Sequence, residues 1–125
     1  MTQRTSISVE GLSHLTAIPV ATRIGPLLVS SVIAPFNPGT REVPATIEAP
    51  VANLFHHAGA ILQAAGADWQ HVAKMEFWVP SADARLALEA PWRARFPDAA
   101  SRPSRHTHIS AGGAPTASLL AYVPE

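Results

Sequence analysis

The chain has 125 residues, no cysteine, and nine basic and nine acidic side chains that leave a formal net charge of zero. The length fits one domain over residues 1–125, and the lack of cysteine excludes disulfides, thiolate metal ligands and a cysteine nucleophile. A neutral chain lacks the basic surface of a nucleic-acid-binding protein and the cationic face that anionic membranes attract. The polar start, Met1-Thr2-Gln3-Arg4, precedes no apolar segment, so we expect a cytoplasmic protein without a signal peptide or a membrane partner.

The N-terminal part of the chain predicts three strands. Residues 5–10 alternate between polar and apolar side chains, as a short strand does. Residues 20–24 and 27–33 are two β-rich runs around the turn dipeptide Gly25-Pro26, which predicts a β-hairpin. The second run is almost continuously apolar, so we expect a central strand that is covered on both faces.

A loop rich in proline, residues 35–45, leads into a long amphipathic helix. Thr46 is a suitable N-cap, and the helix is predicted to extend to about Ala65, where Gly66 is a natural C-cap. Pro50 is compatible with this helix because it lies in the first turn. The apolar side chains recur at helical spacing and form one stripe: Val51, Leu54, Phe55, Ala58, Leu62 and Ala65.

The second half of the chain predicts three more strands and a second helix. Residues 72–79, 105–110 and 118–123 show the alternation of strands. Residues 84–96 carry apolar side chains at helical spacing, and Pro91 should kink or break this helix because proline lacks the N–H that the helix needs. From the hairpin onward, the order ββαβαββ predicts an α+β fold in which two helices pack on a single face of one mixed sheet.

The other face of that sheet has no helix of the chain to cover it. Charged residues make up only 14% of the chain, well below the quarter that is usual in globular proteins. A small domain with so few surface charges is expected to be partly covered by other subunits. We therefore expect this second face to pack against further copies of the chain.

The segment 101–110 is the most informative part of the sequence. Pro103 favours an extended residue before it, so a strand begins at this proline or just after it. Side chains alternate across a strand, which puts Arg105, Thr107 and Ile109 on one face. An arginine among small uncharged neighbours is suited to hold a carboxylate through two parallel hydrogen bonds. The alternative is a solvated arginine on an edge strand.

Two imidazoles, those of His106 and His108, share the other face of the same strand at a spacing that metal sites use. Two ligands are too few for a metal site, and the sequence shows no third, so we expect structural histidines and no metal. This face is expected to point toward the helices, where His56 and His57 of the first helix could approach it.

Short motifs in a fixed order make the chain resemble the YjgF/RidA family over residues from about 18 to 124. The most specific motif is the transition from the first helix toward the next strand. In chain order the motifs are Ser30-Ser31-Val32-Ile33-Ala34-Pro35, Asn37-Pro38, Ile47-Glu48-Ala49, Leu62-Gln63-Ala64-Ala65-Gly66-Ala67-Asp68, Val72-Ala73-Lys74 and Pro103-Ser104-Arg105.

The resemblance implies a chorismate-mutase-like (YjgF-like) α+β fold that assembles as a homotrimer, with no cofactor. Members of the best known branch of the family hydrolyse reactive enamines and imines to 2-oxo acids and ammonia. An arginine on their penultimate strand binds the substrate carboxylate in a cleft between subunits, and Arg105 matches that position. A small carboxylate-bearing ligand is therefore expected for this chain.

The chain also departs from the pattern of that branch. Residues 17–19 read Ala-Ile-Pro where the branch has a tyrosine before the first hairpin. The glutamate that positions water on the last strand is replaced by Leu119 and Leu120, with Tyr122 the nearest polar group. Glu89 falls near a position that carries asparagine in the branch; a solvated helix glutamate is the alternative.

The resemblance implies candidate catalytic and substrate-binding residues on several different helices and strands. The catalytic candidates are Arg105 and Thr107. The substrate-binding candidates are Arg105, Ser30, Ser31, Val32, Glu89 and Tyr122. Where the branch has a Ser-Gly pair after the second strand, this chain has either Ser30-Ser31 or Ser31-Val32. The implied function is hydrolysis of a carboxylate-bearing imine with an altered substrate. Binding or sensing of a small carboxylate metabolite without chemistry, or a holdase, is the alternative.

Overall fold

The structure is a computed structural model that describes residues 3–124, so the first two residues of the predicted polar start and Glu125 lie outside the described residues. In chain order the elements are β1 (Arg4–Ile7), β2 (Ala21–Ile24), β3 (Leu27–Ser30), α1 (Glu48–Ala64), β4 (Val72–Val79), α2 (Ala82–Ala87), α3 (Glu89–Arg95), β5 (Ser104–Ile109) and β6 (Thr116–Tyr122). A short 3-10 helix, Trp69–His71, leads into β4. None of the helices within residues 3–124 has the length and apolar character needed to cross a bilayer.

The strands form one sheet in the order β1-β2-β3-β6-β4-β5. Neighbouring strands are antiparallel except for β4 and β5, which are parallel. Parallel neighbours need a crossover connection, and α2 and α3 lie in that crossover. β5 is therefore an edge strand, and its residues align with those of β4, Met75 opposite Arg105 and Phe77 opposite Thr107.

The helices pack on one face of the sheet, as predicted, and the core lies between the two layers. Phe77 of β4 is fully buried, and its ring lies 5.5 Å from that of Phe55 in α1 and 6.4 Å from that of Trp92 in α3. Both helices are thus on the same side of the sheet as Phe77. The stripe predicted for α1 is buried at Val51, Leu54, Phe55, Ala58 and Leu62, with Ala65 buried just after the helix end.

The second helix is interrupted one turn earlier than predicted. The expected break was at Pro91, whereas α2 ends at Ala87 and α3 begins at Glu89. Pro91 has no N–H to donate to the carbonyl of Ala87, four residues before it, so the hydrogen-bond ladder is lost at that point. Helical bonding is present again where the N–H of Trp92 donates to the carbonyl of Leu88 at 3.0 Å.

The predicted hairpin forms between β2 and β3, but β3 is covered on one face only. Leu28 is fully buried, whereas Leu27 is 42% exposed and Val29 is 41% exposed. The prediction of cover on both faces is therefore wrong for a single chain, because the helices lie on the Leu28 side.

The uncovered side of the sheet, which we call the open face, has an apolar part on β3 and β6. Leu27 lies opposite Tyr122, and Val29 lies opposite Leu120. These four side chains are between 37% and 61% exposed. The helices therefore cover only one face of the sheet. On the other face, these apolar side chains remain in contact with water.

Candidate functional site on the edge strand

Arg105 lies on the helix side of β5, against the start of α3. Its Nη2 atom donates a hydrogen bond to Oε1 of Glu89 at 2.6 Å, and its guanidinium carbon lies 4.9 Å from the centre of the Trp92 ring. Glu89 begins α3 and Trp92 lies in the next turn, so one short helix supplies both contacts. Because the Arg105 side chain is only 20% exposed, it is not the solvated arginine of the alternative interpretation.

The contact with Arg105 changes the ionisation of Glu89. The hydrogen bond from Arg105 lowers the pKa of the Glu89 carboxyl, partial burial opposes this, and the positive charges of Arg105, Arg93 and Arg85 lower it further. Glu89 is therefore negative at neutral pH. Its side chain is 42% exposed, so water screens the ion pair and its contribution to stability is modest. The pair places one positive and one negative group side by side at the sheet edge.

Two polar atoms on this side of β5 are buried without a hydrogen-bond partner among the described residues. They are Nη1 of Arg105 and Oγ1 of Thr107. A buried donor or acceptor that is left unpaired costs about 1–3 kcal/mol, and native structures rarely contain one without a reason. The two residues are separated by one position on the strand and share its helix-facing side. Both atoms have almost no solvent-exposed area, so a ligand that satisfies them has to displace the side chains that now cover them.

The predicted binding residues Ser30, Ser31 and Val32 lie elsewhere in the same chain. The Ser30 hydroxyl accepts a hydrogen bond from the N–H of Leu119 at 2.8 Å, and the Ser31 hydroxyl donates to the carbonyl of Pro19 at 2.7 Å. Two strands separate β3 from β5, which amounts to about 14 Å at the usual strand spacing. These residues cannot contact the same small ligand as Arg105 unless a second copy brings them there.

Tyr122 is also remote from Arg105 within one chain. It lies at the end of β6 on the open face, 61% exposed, whereas Arg105 lies on the face that the helices cover. Of the predicted residues, the structure brings together Arg105, Glu89 and Thr107 and leaves the rest on other surfaces.

The prediction that His106 and His108 face the helices is wrong. The helices cover the side of β5 that carries Arg105, so the two imidazoles lie on the open face, beside Glu76 of β4. His57 is buried in α1, where its Nε2 atom lies 2.7 Å from the carbonyl oxygen of Phe36, and His56 is exposed on the same helix. Sequence analysis could not indicate that Glu76 lies beside the two imidazoles, because that contact depends on the parallel pairing of β4 with β5.

A cavity of about 340 Å³ that the sequence did not suggest lies between the N-terminal loop and α1. Its lining includes His14, Val32, Arg41, His57 and Ile61. Arg105 and Thr107 do not line it. Val32 therefore lines a cavity that is separate from Arg105, although the two residues were predicted to bind the same ligand.

Solved structures share the fold of this chain at low sequence identity. A probable translation initiation inhibitor from Rhodopseudomonas palustris has a TM-score of 0.88 at 16% identity, over 98% of this chain and 100% of that one. RidA from an Antarctic Psychrobacter has a TM-score of 0.84 at 20% identity, over 95% and 99% of the two chains. The YjgF gene product of E. coli has a TM-score of 0.83 at 22% identity, over 94% and 98%.

The chain has the YjgF/RidA fold. This likeness confirms, for the fold, the resemblance that the sequence motifs indicated. No protein-family model matches the chain, and no curated protein sequence matches it at a significant level. Within this RidA-like fold, Arg105 lies on the penultimate strand, as the motifs predicted.

The Arg105–Glu89 pair predicts a specific pH dependence of stability. The pKa of Glu89 is lowered in the folded chain, so its stabilisation is present above the unfolded pKa and is lost as the pH falls through the folded one. We expect the free energy of unfolding to fall below about pH 4.3. Glu89→Gln should show a smaller fall than the wild type, measured by urea denaturation at a series of pH values.

Glu10→Gln is the matched control, because Glu10 is exposed in a turn far from this strand. The control should follow the wild-type curve. A constant offset between Glu89→Gln and the wild type at every pH would contradict the expected stabilisation of the Glu89 carboxylate by Arg105.

Proposed function

We propose that the chain is a RidA-like protein in which Arg105 binds the carboxylate of a small imine and the imine is hydrolysed to a 2-oxo acid and ammonia. The observation that carries the proposal is the pair of buried, unpartnered atoms, Arg105 Nη1 and Thr107 Oγ1. A carboxylate accepts hydrogen bonds from both kinds of group, and guanidinium–carboxylate bonds are among the strong ones in proteins.

Arg105 retains donors for a ligand although Glu89 already uses one of them. The contact with Glu89 involves Nη2, whereas Nη1 has no partner among the described residues. A guanidinium has five N–H donors in a fixed plane, so it can hold a ligand carboxylate along one edge and Glu89 along another. The Trp92 ring beside the guanidinium keeps this plane in place.

Glu89 favours a ligand that carries a positive charge as well as a carboxylate. A simple carboxylate would place a second negative charge next to Glu89, which is ionised at neutral pH. A protonated 2-imino acid has a carboxylate for Arg105 and an iminium group that the Glu89 carboxylate attracts. The ion pair therefore suits a zwitterionic 2-imino acid better than a 2-oxo acid, which also favours release of the product.

The proposed chemistry requires little from the protein beyond positioning. Water adds to C2 of the protonated imine, and one of its protons moves from the added oxygen to the nitrogen by way of Glu89. The C–N bond then breaks as the oxygen forms the carbonyl, and the second proton of the water passes to the departing ammonia. The products are the 2-oxo acid and an ammonium ion. Because its pKa is lowered, Glu89 is a weak base, but an iminium carbon is already electrophilic and needs mainly an oriented water. Glu89 would thus replace the glutamate that is absent from the last strand.

A second copy of the chain would complete the site. Ser30, Ser31 and Val32 lie about three strand spacings from Arg105 in one chain, so a cleft that uses them needs a neighbouring subunit. The apolar part of the open face is exposed in the single chain. We propose a homotrimer in which these faces pack around a central axis.

Binding without turnover is the second candidate. The observation in its favour is the last strand, where Leu119 is buried and Leu120 is exposed at the positions where the deaminase branch has its water-positioning glutamate. In this case Arg105 would bind a carboxylate metabolite as a signal or for storage. Activity measurements on Glu89 variants distinguish the two candidates.

Replacement of Arg105 should weaken binding of carboxylate ligands. Loss of a charge-assisted hydrogen bond costs about 1.5–3 kcal/mol, so Arg105→Ala should bind 2-oxo acids and amino acids at least about tenfold more weakly. Calorimetric titration and thermal shift measure this directly. Arg93→Ala removes a nearby exposed charge and should bind nearly as the wild type does. Equal affinities for wild type and Arg105→Ala would remove Arg105 from the site.

Replacement of Glu89 should change affinity and activity in opposite directions. Glu89→Gln keeps the size of the side chain and removes its charge, so 2-oxo acids should bind more tightly to the variant than to the wild type. Hydrolysis of imines, generated in situ by an amino-acid oxidase and followed by semicarbazide trapping, should become slower. If 2-oxo acids bind more tightly and neither protein lowers the trapped imine, the binding-only candidate stands.

Disruption of the open face should dissociate the proposed trimer. Leu120→Asp places a charge in the apolar part of that face, and burial of an unpaired charge between subunits is strongly unfavourable. Native mass measurement should give three chains for the wild type and one chain for the variant. Leu86→Asp is the control, since Leu86 is 69% exposed on α2, outside the open face. A monomeric wild type at micromolar concentration would contradict the trimer.

A further inference from the structure

The polar part of the open face contains three potential metal ligands from two adjacent strands. Glu76 of β4 lies opposite His106 of β5 in the parallel register, and His108 lies two residues further along. Oε2 of Glu76 is 2.7 Å from Nε2 of His108 and 4.0 Å from Nδ1 of His106. One ligand atom from each of the three residues falls within 4.8 Å of the others.

These distances suit a single divalent ion. Zinc–ligand bonds of about 2.0–2.1 Å in a tetrahedron put neighbouring ligand atoms about 3.3 Å apart. The observed separations of 2.7 and 4.0 Å lie on either side of that value. The His106 side chain is 61% exposed, and its Nδ1 atom is the one that has to move closer to Glu76 for all three atoms to reach one ion.

Neighbouring side chains orient two of the three proposed ligands, His108 and Glu76. The Trp78 ring stacks on that of His108 with 5.2 Å between centres and 8° between planes, which fixes the orientation of the imidazole. Oε2 of Glu76 and Nε2 of His108 already share one proton at 2.7 Å, and a metal ion would take the place of that proton.

We propose that Glu76, His106 and His108 bind one divalent transition-metal ion of the zinc type per chain. Two imidazoles and one carboxylate are a ligand set that zinc accepts, with the remaining position taken by water. Imidazole ligands select ions such as Zn²⁺, Co²⁺ and Ni²⁺ over Mg²⁺ and Ca²⁺, which prefer oxygen.

The metal site is independent of the proposed imine chemistry. Its three residues lie on the open face, whereas Arg105, Glu89 and Thr107 lie on the helix side of the same sheet. The ion would link β4 to the edge strand β5 and should stabilise the folded chain, because the unfolded chain does not hold the three ligands together. Failure of one proposal leaves the other intact.

The test is a titration of the tag-free full chain with Zn²⁺ and Co²⁺. We expect one ion per chain by native mass measurement, visible absorption typical of low-coordinate Co²⁺, and a higher melting temperature with metal. His106→Ala and Glu76→Gln should each lower the affinity at least about tenfold. His106 is largely exposed, so its replacement should leave the fold, checked by circular dichroism, unchanged.

The control is His56→Ala, which removes an exposed imidazole on α1 and should bind metal as the wild type does. Two results would overturn the proposal. One is that the wild type binds no ion when excess metal is added. The other is that the double variant His106→Ala/His108→Ala binds as tightly as the wild type, which would place the metal elsewhere.

Discussion

The helices cover only one face of the sheet, and this determines which neighbours each side chain of β5 contacts. Because side chains alternate across a strand, Arg105 and Thr107 are placed against α3, while His106 and His108 are placed on the open face. One six-residue strand therefore carries two separate groups of polar side chains. Each group is assembled with a different neighbour, the first with a helix and the second with β4.

On the helix side, the main consequence is a compact pair of opposite charges. Glu89 lies at the start of α3 and faces Arg105, so the guanidinium is partly neutralised by the chain itself. In the proposed site a ligand would have to satisfy both groups, so selection would depend on the distribution of its charges more than on their sum. The interruption of the helix before Pro91 leaves Glu89 as the first residue of α3, where its side chain contacts Arg105.

On the open face, the apolar and polar residues are separated. The β3–β6 part carries leucine, valine and tyrosine side chains, which favour contact with another subunit because water is released from apolar surface. The β4–β5 part carries Glu76, Trp78 and the two imidazoles, which favour an ion or water. In the proposed trimer, the first part would stabilise the assembly and the second would remain polar near its edge. The proposed subunit contact and the proposed metal site therefore use different side chains.

The sequence by itself determined the elements whose patterns are local. The stripe of α1, the strand Val72–Val79, the hairpin turn at Gly25-Pro26 and the placement of Arg105 on a strand next to a proline all follow from spacing and backbone preference, and the order of motifs indicated the fold. Only the tertiary structure decided which face of each strand the helices cover. It also decided the contacts of Arg105 with Glu89, 16 residues apart, and of His108 with Glu76, 32 residues apart. The physical reason is that alternation shows which residues share a face, whereas strand order, parallel register and the helix break bring distant residues together.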